Sequence, residues 1–388
     1  MSFLDSQDWT FPVPIAYGPG RLKEIAGFCR VAGMSNPLIV TDRGSASLAF
    51  IANLLRYLDE AGLDSALYSN ISPNPRDEEI AAGRAQYRAG GHDGIIAIGG
   101  GSGMDGGKAI TLVANNDIDL WAFEYEQPAP DMSAHPAFPP LICIPTTAGT
   151  GAETESTAMV TDTKQMMKWC VWHAQLKPSF AILDPEITVG LPADLTAWTG
   201  VDAMVHAIEA YCVPGFNPLC DGLALEGLRL VASWLPVAVA EPANLEARGA
   251  MLAGSCLAGV AFMKGLGLVH AISHMVGAEY DTQHGLTNAV ILPAVLRFNA
   301  PAIGDRIGPM AQAMGLHDTS FDALYQKVVD ILDTVDIPRT LAEIGVPADC
   351  APRIAQKALQ DSAAGTNPRA LTEVEIQTVI DDALSFGR

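Results

Sequence analysis

Over its first half the chain alternates short aliphatic runs with longer stretches of helical period. NPLIVTD (36–42) precedes ASLAFIANLLRYLDEAG (46–62), and DSALYSN (64–70) precedes RDEEIAAGRAQYRAG (76–90) and then HDGIIAIGGG (92–101). Apolar runs of four to eight residues that close on Gly or a polar turn are the mark of strands buried on both faces, and such strands need helices to cover them. The pattern predicts an α/β domain built on a parallel sheet. Within it, residues 77–89 form a polar-faced helix and 102–113 open another. PPLICIPTTAGTG (139–151) is a strand running into a Thr/Gly loop, a strand pair is expected within 156–172, and PSFAILDPEI (178–187) adds a last apolar segment. From about residue 191 the texture changes. AWTGVDAMVHAIEAYC, CDGLALEGLRLVASWLPVAVA and EARGAMLAGSCLAGVAFM are long enough for helices and show no strand alternation. The remainder is predicted to be all-helical, which divides the chain into 1–187 and 188–388. No low-complexity linker separates the halves, so a shared interface with a cleft is expected.

Composition narrows the class. A chain of 388 residues with 49% hydrophobic content has room for two cores, and 36 Gly with 26 Pro suits a fold with many turns. The formal net charge of -21, without any Lys/Arg run, argues against nucleic-acid phosphates and anionic lipid as partners. Seven cysteines, an odd number with no CxxC pair, suggest neither a disulfide framework nor a structural zinc knot. The opening MSFLDSQDWTFPVP has no basic region followed by a long apolar stretch, and later apolar runs are broken by Gly, Pro or charge. A cytoplasmic protein that does not enter a membrane is expected.

Two loops in the first half have the chemistry of a nucleotide site. Gly99, Gly100, Gly101, Ser102 and Gly103 follow the apolar strand 95–98, and Met104 to Lys108 continue them into a helix. Glycines allow a tight turn and close backbone approach, while the free N–H groups of the helix start can hold a pyrophosphate. The spacing is not the usual GxGxxG fingerprint. Thr146, Thr147 and Thr150 lie in a second loop at a strand end, where ligands collect in open α/β sheets. Asp42 ends an earlier strand, placed to accept ribose hydroxyls and to repel a 2'-phosphate. Asn74, with Pro75, shapes a further turn ahead of a helix.

The second half carries metal-ligand chemistry. Asp202 and His206 are four apart in a helical segment and so share a face. His270 and His274 repeat that spacing, and His284 follows a short connection that could fold back toward them. Of eight histidines in the chain, these four fall between 206 and 284. A carboxylate with three imidazoles suits Fe(II) or Zn(II) and argues against an iron–sulfur centre or a purely hard Ca²⁺ site.

Taken in order, these motifs resemble the iron-containing alcohol dehydrogenase family, the metal-dependent type related to dehydroquinate synthase and glycerol dehydrogenase. The resemblance runs through the Asp42 strand end, GGGSGMDGGKA (99–109), PTTAGTGAE (145–153), ILDPE (182–186), GVDAMVHAIEAY (200–211), GLGLVHAISH (265–274) and HGLTNAVILP (284–293). It implies an N-terminal Rossmann-like domain, a helical C-terminal domain in a dehydroquinate-synthase-like architecture, and a homodimer or larger assembly. It also implies Asp202, His206, His270 and His284 as metal ligands, with Fe(II) expected and Zn(II) as the alternative, and His274 beside the nicotinamide without ligating the metal. Gly99, Gly100, Gly101 and Ser102 would enclose the pyrophosphate of NAD, Asp105 would border its nicotinamide side, and Thr146, Thr147 and Thr150 would line its adenosine region. Lys164 resembles another cofactor-facing position. Two departures lie where substrate should sit: the stretch between Phe262 and Gly265 is one residue shorter than the family's pattern, and Met275 replaces a common proline.

The implied activity is hydride transfer between nicotinamide and a primary alcohol, or a short hydroxy acid and its semialdehyde, with His274 as a candidate proton relay. Phe262 falls beside the substrate, and Lys264 and Arg369 are candidate contacts for a substrate carboxylate in this acidic chain. Three other functions fit parts of the pattern: a non-redox lyase or cyclase of the dehydroquinate-synthase type, a metal-free reductase, and a non-catalytic metal-binding assembly protein. The first needs a strongly basic pocket, and the metal segment has few Lys or Arg neighbours.

Overall fold

The computed structural model describes residues 7–9 through their backbone and residues 13–388 in full. The reading of the opening stretch as free of a leader rests largely on residues outside this set. Nine strands, β1 (Gln7–Trp9), β2 (Ile15–Tyr17), β3 (Pro37–Asp42), β4 (Ala66–Ile71), β5 (Gly94–Gly99), β6 (Leu141–Pro145), β7 (Thr157–Asp162), β8 (Met167–Trp172) and β9 (Phe180–Leu183), all fall before residue 190. Seven form one sheet in the order β1-β2-β9-β6-β5-β3-β4, parallel throughout except at the edge pair β1-β2. The remaining two, β7 and β8, make a separate antiparallel hairpin that pairs Thr157 with Trp172.

Strand periodicity explains why these segments are apolar on both sides. On β3, Leu38 and Val40 face one core with Ile95, Ala97, Leu141 and Cys143, while Ile39 faces another with Ile96, Ile98, Ile142 and Ile144. The first core is covered by Ile80 and Tyr87 of α3 (Asp77–Ala89) and by Met104 and Ile110 of α4 (Gly101–Val113). The second is covered by Ile25 and Cys29 of α1 (Ile25–Ala32) and by Leu54 and Leu58 of α2 (Ala49–Glu60). At the end of β9 the Asp184 carboxylate accepts N–H groups from Gly20, Leu22 and Glu186 at 2.9–3.0 Å, which ties the β2 turn to the sheet.

From Gly190 onward every regular element is helical. They are α5 (Ala193–Cys212), α6 (Pro218–Ala240), α7 (Leu245–Ala261), α8 (Leu268–Tyr280), α9 (His284–Asn299), α10 (Gly304–Ala313), α11 (Phe321–Thr334), α12 (Ala351–Ala358) and α13 (Glu373–Ser385), with short 3₁₀ turns between. The centre of this unit is α5, which packs against α6, α7 and α9 and is buried almost along its whole length. That explains why its sequence is apolar all round. By length and composition α6 and the stretch that begins α7 would pass as membrane spans; both belong to this bundle, and the α7 stretch is mostly buried in it. Contacts divide the chain into two compact units, one ending at Val189 and the other beginning at Gly190. The Thr/Gly loop is split between them, since Ala148–Gly151 packs with the helices. Gly151 (φ +64) and Gly259 of α7 make that possible: a Cβ on Gly259 would lie 2.7 Å from the Gly151 Cα.

Candidate metal centre and cofactor loops

Helix periodicity and one tight turn assemble the metal-ligating side chains. Asp202 and His206 lie one turn apart on α5, His270 stands in the first turn of α8, and His284 opens α9. Between α8 and α9 the chain reverses through Asp281 in the left-handed region (φ 54), and the Gln283 side chain caps α9 by accepting the Leu286 N–H at 2.6 Å. Gly285 then lets α9 press on α5, since a Cβ there would sit 2.4 Å from the Trp198 carbonyl oxygen. The result is a group of four ligand atoms, one from each of Asp202, His206, His270 and His284, all within 4.8 Å of one another. Asp202 Oδ1 is 3.9 Å from His206 Nε2, 3.9 Å from His270 Nε2 and 3.7 Å from His284 Nε2.

The electrostatics suit a cation. Burial pushes His206 down to about 4, so its ring is neutral at physiological pH and its lone pair is available. Its Nε2 stands 2.9 Å from His270 Nε2. The tautomer of His270 is set by Glu209, which lies one turn beyond His206 on α5 and accepts the His270 Nδ1–H at 2.6 Å. With the proton on Nδ1, Nε2 offers its lone pair toward His206, whose own Nδ1 lies 3.3 Å from the Gly149 carbonyl oxygen, so both Nε2 atoms can face one cation. The second Glu209 oxygen accepts the Val269 N–H at 2.7 Å at the start of α8. Burial raises Glu209 to about 7, opposed by these N–H donors. Asn288, fully buried one turn after His284, donates to Asp202 Oδ1 at 2.6 Å, and its own Oδ1 has no hydrogen-bond partner among the described residues. One carboxylate, three imidazoles and a carboxylate behind one of them form a donor set for a divalent transition ion.

His274 lies one turn beyond His270 on α8 and outside the group of four. Its ring stacks on His284 with centroids 5.4 Å apart and planes 12° apart, and its Nδ1 donates to Asp361 at 2.8 Å. Phe262 rests against the His206 ring at 5.0 Å. The two cations expected to face a substrate carboxylate each have an acidic partner within the chain. Lys264 is only 5% exposed and bonds Asp221 at 2.6 Å; that carboxylate also takes Arg306 at 2.9 Å. Arg369 stacks on Phe298 with its guanidinium 4.0 Å from the ring centroid, and it bonds Glu375 and the Phe298 carbonyl at 2.9 Å each.

In the α/β unit the two expected loops meet at the C-terminal ends of adjacent strands, the position where ligands bind in open parallel sheets. The Thr146 N–H donates to the Gly99 carbonyl at 2.9 Å, and a Cβ on Gly100 would come within 3.5 Å of Thr147 Oγ1. Gly99 (φ +152) passes so close under Asp42 that a Cβ would lie 2.9 Å from Oδ2. The Asp42 carboxylate is fixed by the Ser45 N–H at 2.9 Å and hydroxyl at 2.7 Å, leaving lone pairs over the glycine loop. Gly100 caps α4, whose first-turn N–H groups can bind an anion; the Ser102 hydroxyl donates to the Pro73 carbonyl. Asp105 is raised by burial and held down by Lys108 and Lys168. Lys164 is exposed on the turn between β7 and β8. The buried cation from that hairpin is Lys168, with Nζ 3.3 Å from Asn74 Oδ1. Bare backbone at Gly99 and Gly100 beside a fixed carboxylate fits a dinucleotide.

Glu209, Asn288, Lys168 and Asp361 were not singled out from the sequence. For the first two a local signal existed, since Glu209 is three residues after His206 and Asn288 four after His284, spacings that share a helix face. Lys168 and Asp361 carry no such mark.

Known proteins agree with this construction. The model for iron-containing alcohol dehydrogenases matches residues 12–185, and that for the C-terminal part of the same family matches 196–384. The chain is 36% identical to 1,3-propanediol dehydrogenase of Klebsiella pneumoniae, over 97% of this chain and 98% of that one. It is 37% identical to NAD-dependent methanol dehydrogenase of Bacillus methanolicus, over 96% and 98%. A crystal structure of 1,3-propanediol oxidoreductase superposes with a TM-score of 0.91 at 34% identity, covering 98% of this chain and all of the other. With the ligand set, the glycine loop and both halves matched in order, the chain belongs to the iron-containing alcohol dehydrogenase family and is a metal-dependent, NAD-linked alcohol dehydrogenase.

Proposed function

We propose that this enzyme interconverts a short, uncharged primary alcohol or diol with its aldehyde, using Fe(II) and NAD in the cytoplasm. The observation that carries the reading is the convergence of Asp202, His206, His270 and His284 on one point, with Glu209 fixing the His270 tautomer. When bound, the cation supplies Lewis acidity that makes the alcohol hydroxyl more acidic and the aldehyde more electrophilic, and the nicotinamide accepts or returns the hydride. The four ligands would hold the ion. Gly99, Gly100, Gly101 and Ser102 would hold the pyrophosphate, with Thr146, Thr147 and Thr150 toward the adenosine, Asn74 and Lys168 forming the adjoining polar wall, and Asp105 on the nicotinamide side. Asp42 accepts the ribose hydroxyls and disfavours a 2'-phosphate by like charge. Fe(II) is favoured over Zn(II) by family membership.

An uncharged substrate is supported by the pairing of Lys264 with Asp221 and of Arg369 with Glu375, which gives both candidate anchors an acidic partner within the chain. The relatives named for 1,3-propanediol and methanol support small alcohols as the first compounds to test. Buried thiols at Cys29, Cys143, Cys212, Cys220, Cys256 and Cys350 suit a reducing compartment. A homodimer or larger assembly is proposed from family membership, and light scattering checks it.

The deciding experiment combines anaerobic metal analysis with a panel of methanol, 1,3-propanediol, 1-butanol and 4-hydroxybutyrate, each with NAD and NADP. Activity should disappear on chelation and return with Fe(II), reduced cofactor should accumulate in step with aldehyde, and NAD should be used better than NADP. Full turnover after thorough chelation would support a metal-free reductase, and product without accumulating reduced cofactor would support a lyase. A preference for 4-hydroxybutyrate would overturn the uncharged-substrate reading.

A further inference from the structure

Two buried carboxylate–histidine pairs stand side by side on α8, and only one of them serves the ligand group. Glu209 fixes His270, whose Nε2 is a ligand atom. Asp361 fixes His274, whose Nε2 is not among the four and makes no hydrogen bond among the described residues. His274 is 6% exposed and Asp361 is 8% exposed, so water does little to reorient either group.

Asp361 is itself rigidly held. Its Oδ1 accepts the Ala363 N–H at 2.8 Å, and its own N–H bonds the Ala358 carbonyl at the end of α12. The loop that follows is fastened to the start of α8: the Thr366 hydroxyl donates to the Leu266 carbonyl at 2.8 Å, and Asn367 Oδ1 accepts the Leu268 N–H at 3.1 Å. The segment that carries the carboxylate is thus tied to the helix that carries the imidazole. A carboxylate can only accept, so Nδ1 carries the proton, and it is the Nε2 of an imidazole in this tautomer that has the lone pair. The His284 ring, stacked at 5.4 Å, and the His270 ring, edge-on at 5.8 Å, restrict rotation.

We propose that Asp361 is a positioning residue for the alcohol substrate: it locks His274 in the Nδ1–H tautomer, so that Nε2 is presented as the hydrogen-bond acceptor for the substrate hydroxyl. This rests on the alcohol dehydrogenase reading above. The surroundings make Asp361→Asn an informative variant. The Ala363 N–H requires an acceptor, so the amide oxygen stays on that side and the amide NH₂ faces His274. Nδ1 must then accept, and the proton moves to Nε2, where it blocks acceptance from an alcohol.

The experiment uses Zn(II)-loaded enzyme, diamagnetic and labelled with ¹⁵N-histidine, together with steady-state kinetics. In the wild type, His274 should show the Nδ1–H tautomer. In Asp361→Asn it should show Nε2–H, and kcat with 1,3-propanediol should fall about 100-fold, the low end of the range for a misplaced proton acceptor, with metal content and NAD affinity unchanged. Adding His274→Ala to Asp361→Asn should cause little further loss, because both changes remove one device. An Nε2–H tautomer in the wild type, or losses that multiply in the double variant, would overturn the proposal. The wild-type tautomer decides it even where Asp361→Asn fails to fold. Failure of the wild type to reduce NAD with any alcohol would instead overturn the dehydrogenase reading, and the tautomer measurement separates the two.

Discussion

Replacing Glu209 probes how the metal centre is built, because this side chain both orients a ligand and caps a helix. In Glu209→Gln the Val269 N–H keeps the amide oxygen on its side, so the NH₂ turns toward His270 Nδ1. The His270 proton then moves to Nε2 and points into the ligand group, where it must be displaced before an ion can bind. Loss of such an orienting partner typically weakens metal binding 10–100-fold, or about 1.4–2.7 kcal/mol. Volume and hydrogen bonding survive, so the metal-free variant should melt close to the wild type. Glu209→Ala behaves differently: it strands two buried donors, the Val269 N–H and the His270 Nδ1–H, at about 1–3 kcal/mol each. A loss of roughly 2–6 kcal/mol is a large share of the ordinary 5–15 kcal/mol of a folded domain. The assay is metal affinity by competition with a chelator of known strength, paired with thermal denaturation of the metal-free proteins. Wild-type affinity in the Gln variant together with wild-type melting in the Ala variant would refute the role given to Glu209.

Three further outcomes follow from particular contacts. Glu155 is buried with no partner for Oε1 among the described residues, and burial raises it to about 8, with Lys108 partly opposing. A folded value above the unfolded one means that the native state holds the extra proton between about pH 4.5 and 8. Glu155 therefore erodes stability as pH rises through that window, at a limit of about 1.4 kcal/mol per pH unit. Glu155→Gln should gain on the wild type from pH 5 to 8 in melting temperature, and parallel curves would disprove the assignment. Gly259→Ala would place a Cβ 2.7–2.8 Å from the Gly151 backbone, with an overpacking cost of about 1–3 kcal/mol; an unchanged denaturant midpoint would contradict this close packing. Lys264→Met leaves Asp221 with Arg306 alone, so stability should fall by about 1–3 kcal/mol, while the kcat/KM ratio for 4-hydroxybutyrate over 1-butanol stays constant. A selective loss with the hydroxy acid would return Lys264 to the substrate.

Several features could be read from the linear chain because local physics determines them. The aliphatic runs at 38–40, 95–98 and 141–144 are strands because a parallel strand is covered on both faces, and the helix read at 77–89 is α3. The glycine loop was legible since tight turns and anion-binding helix starts have few chemical solutions. The metal ligands were visible in part through the four-residue spacing of Asp202 and His206, a consequence of helical period. What the chain order could not show is which distant groups meet. Both Lys164 and Lys168 lie on the β7–β8 hairpin, but strand alternation and the turn expose the first and bury the second beside Asn74. Lys264 looked like a free cation near a ligand until α6 brought Asp221 to it from 43 residues away. Ala148–Gly151 leaves its own sheet to pack on α7, a choice made by the space at Gly259. Asp361 reaches His274 across 87 residues, and no local pattern marks it. Side-chain periodicity is a property of one segment, whereas a hydrogen-bond partner is settled by how segments pack, and that information exists only once the chain has folded.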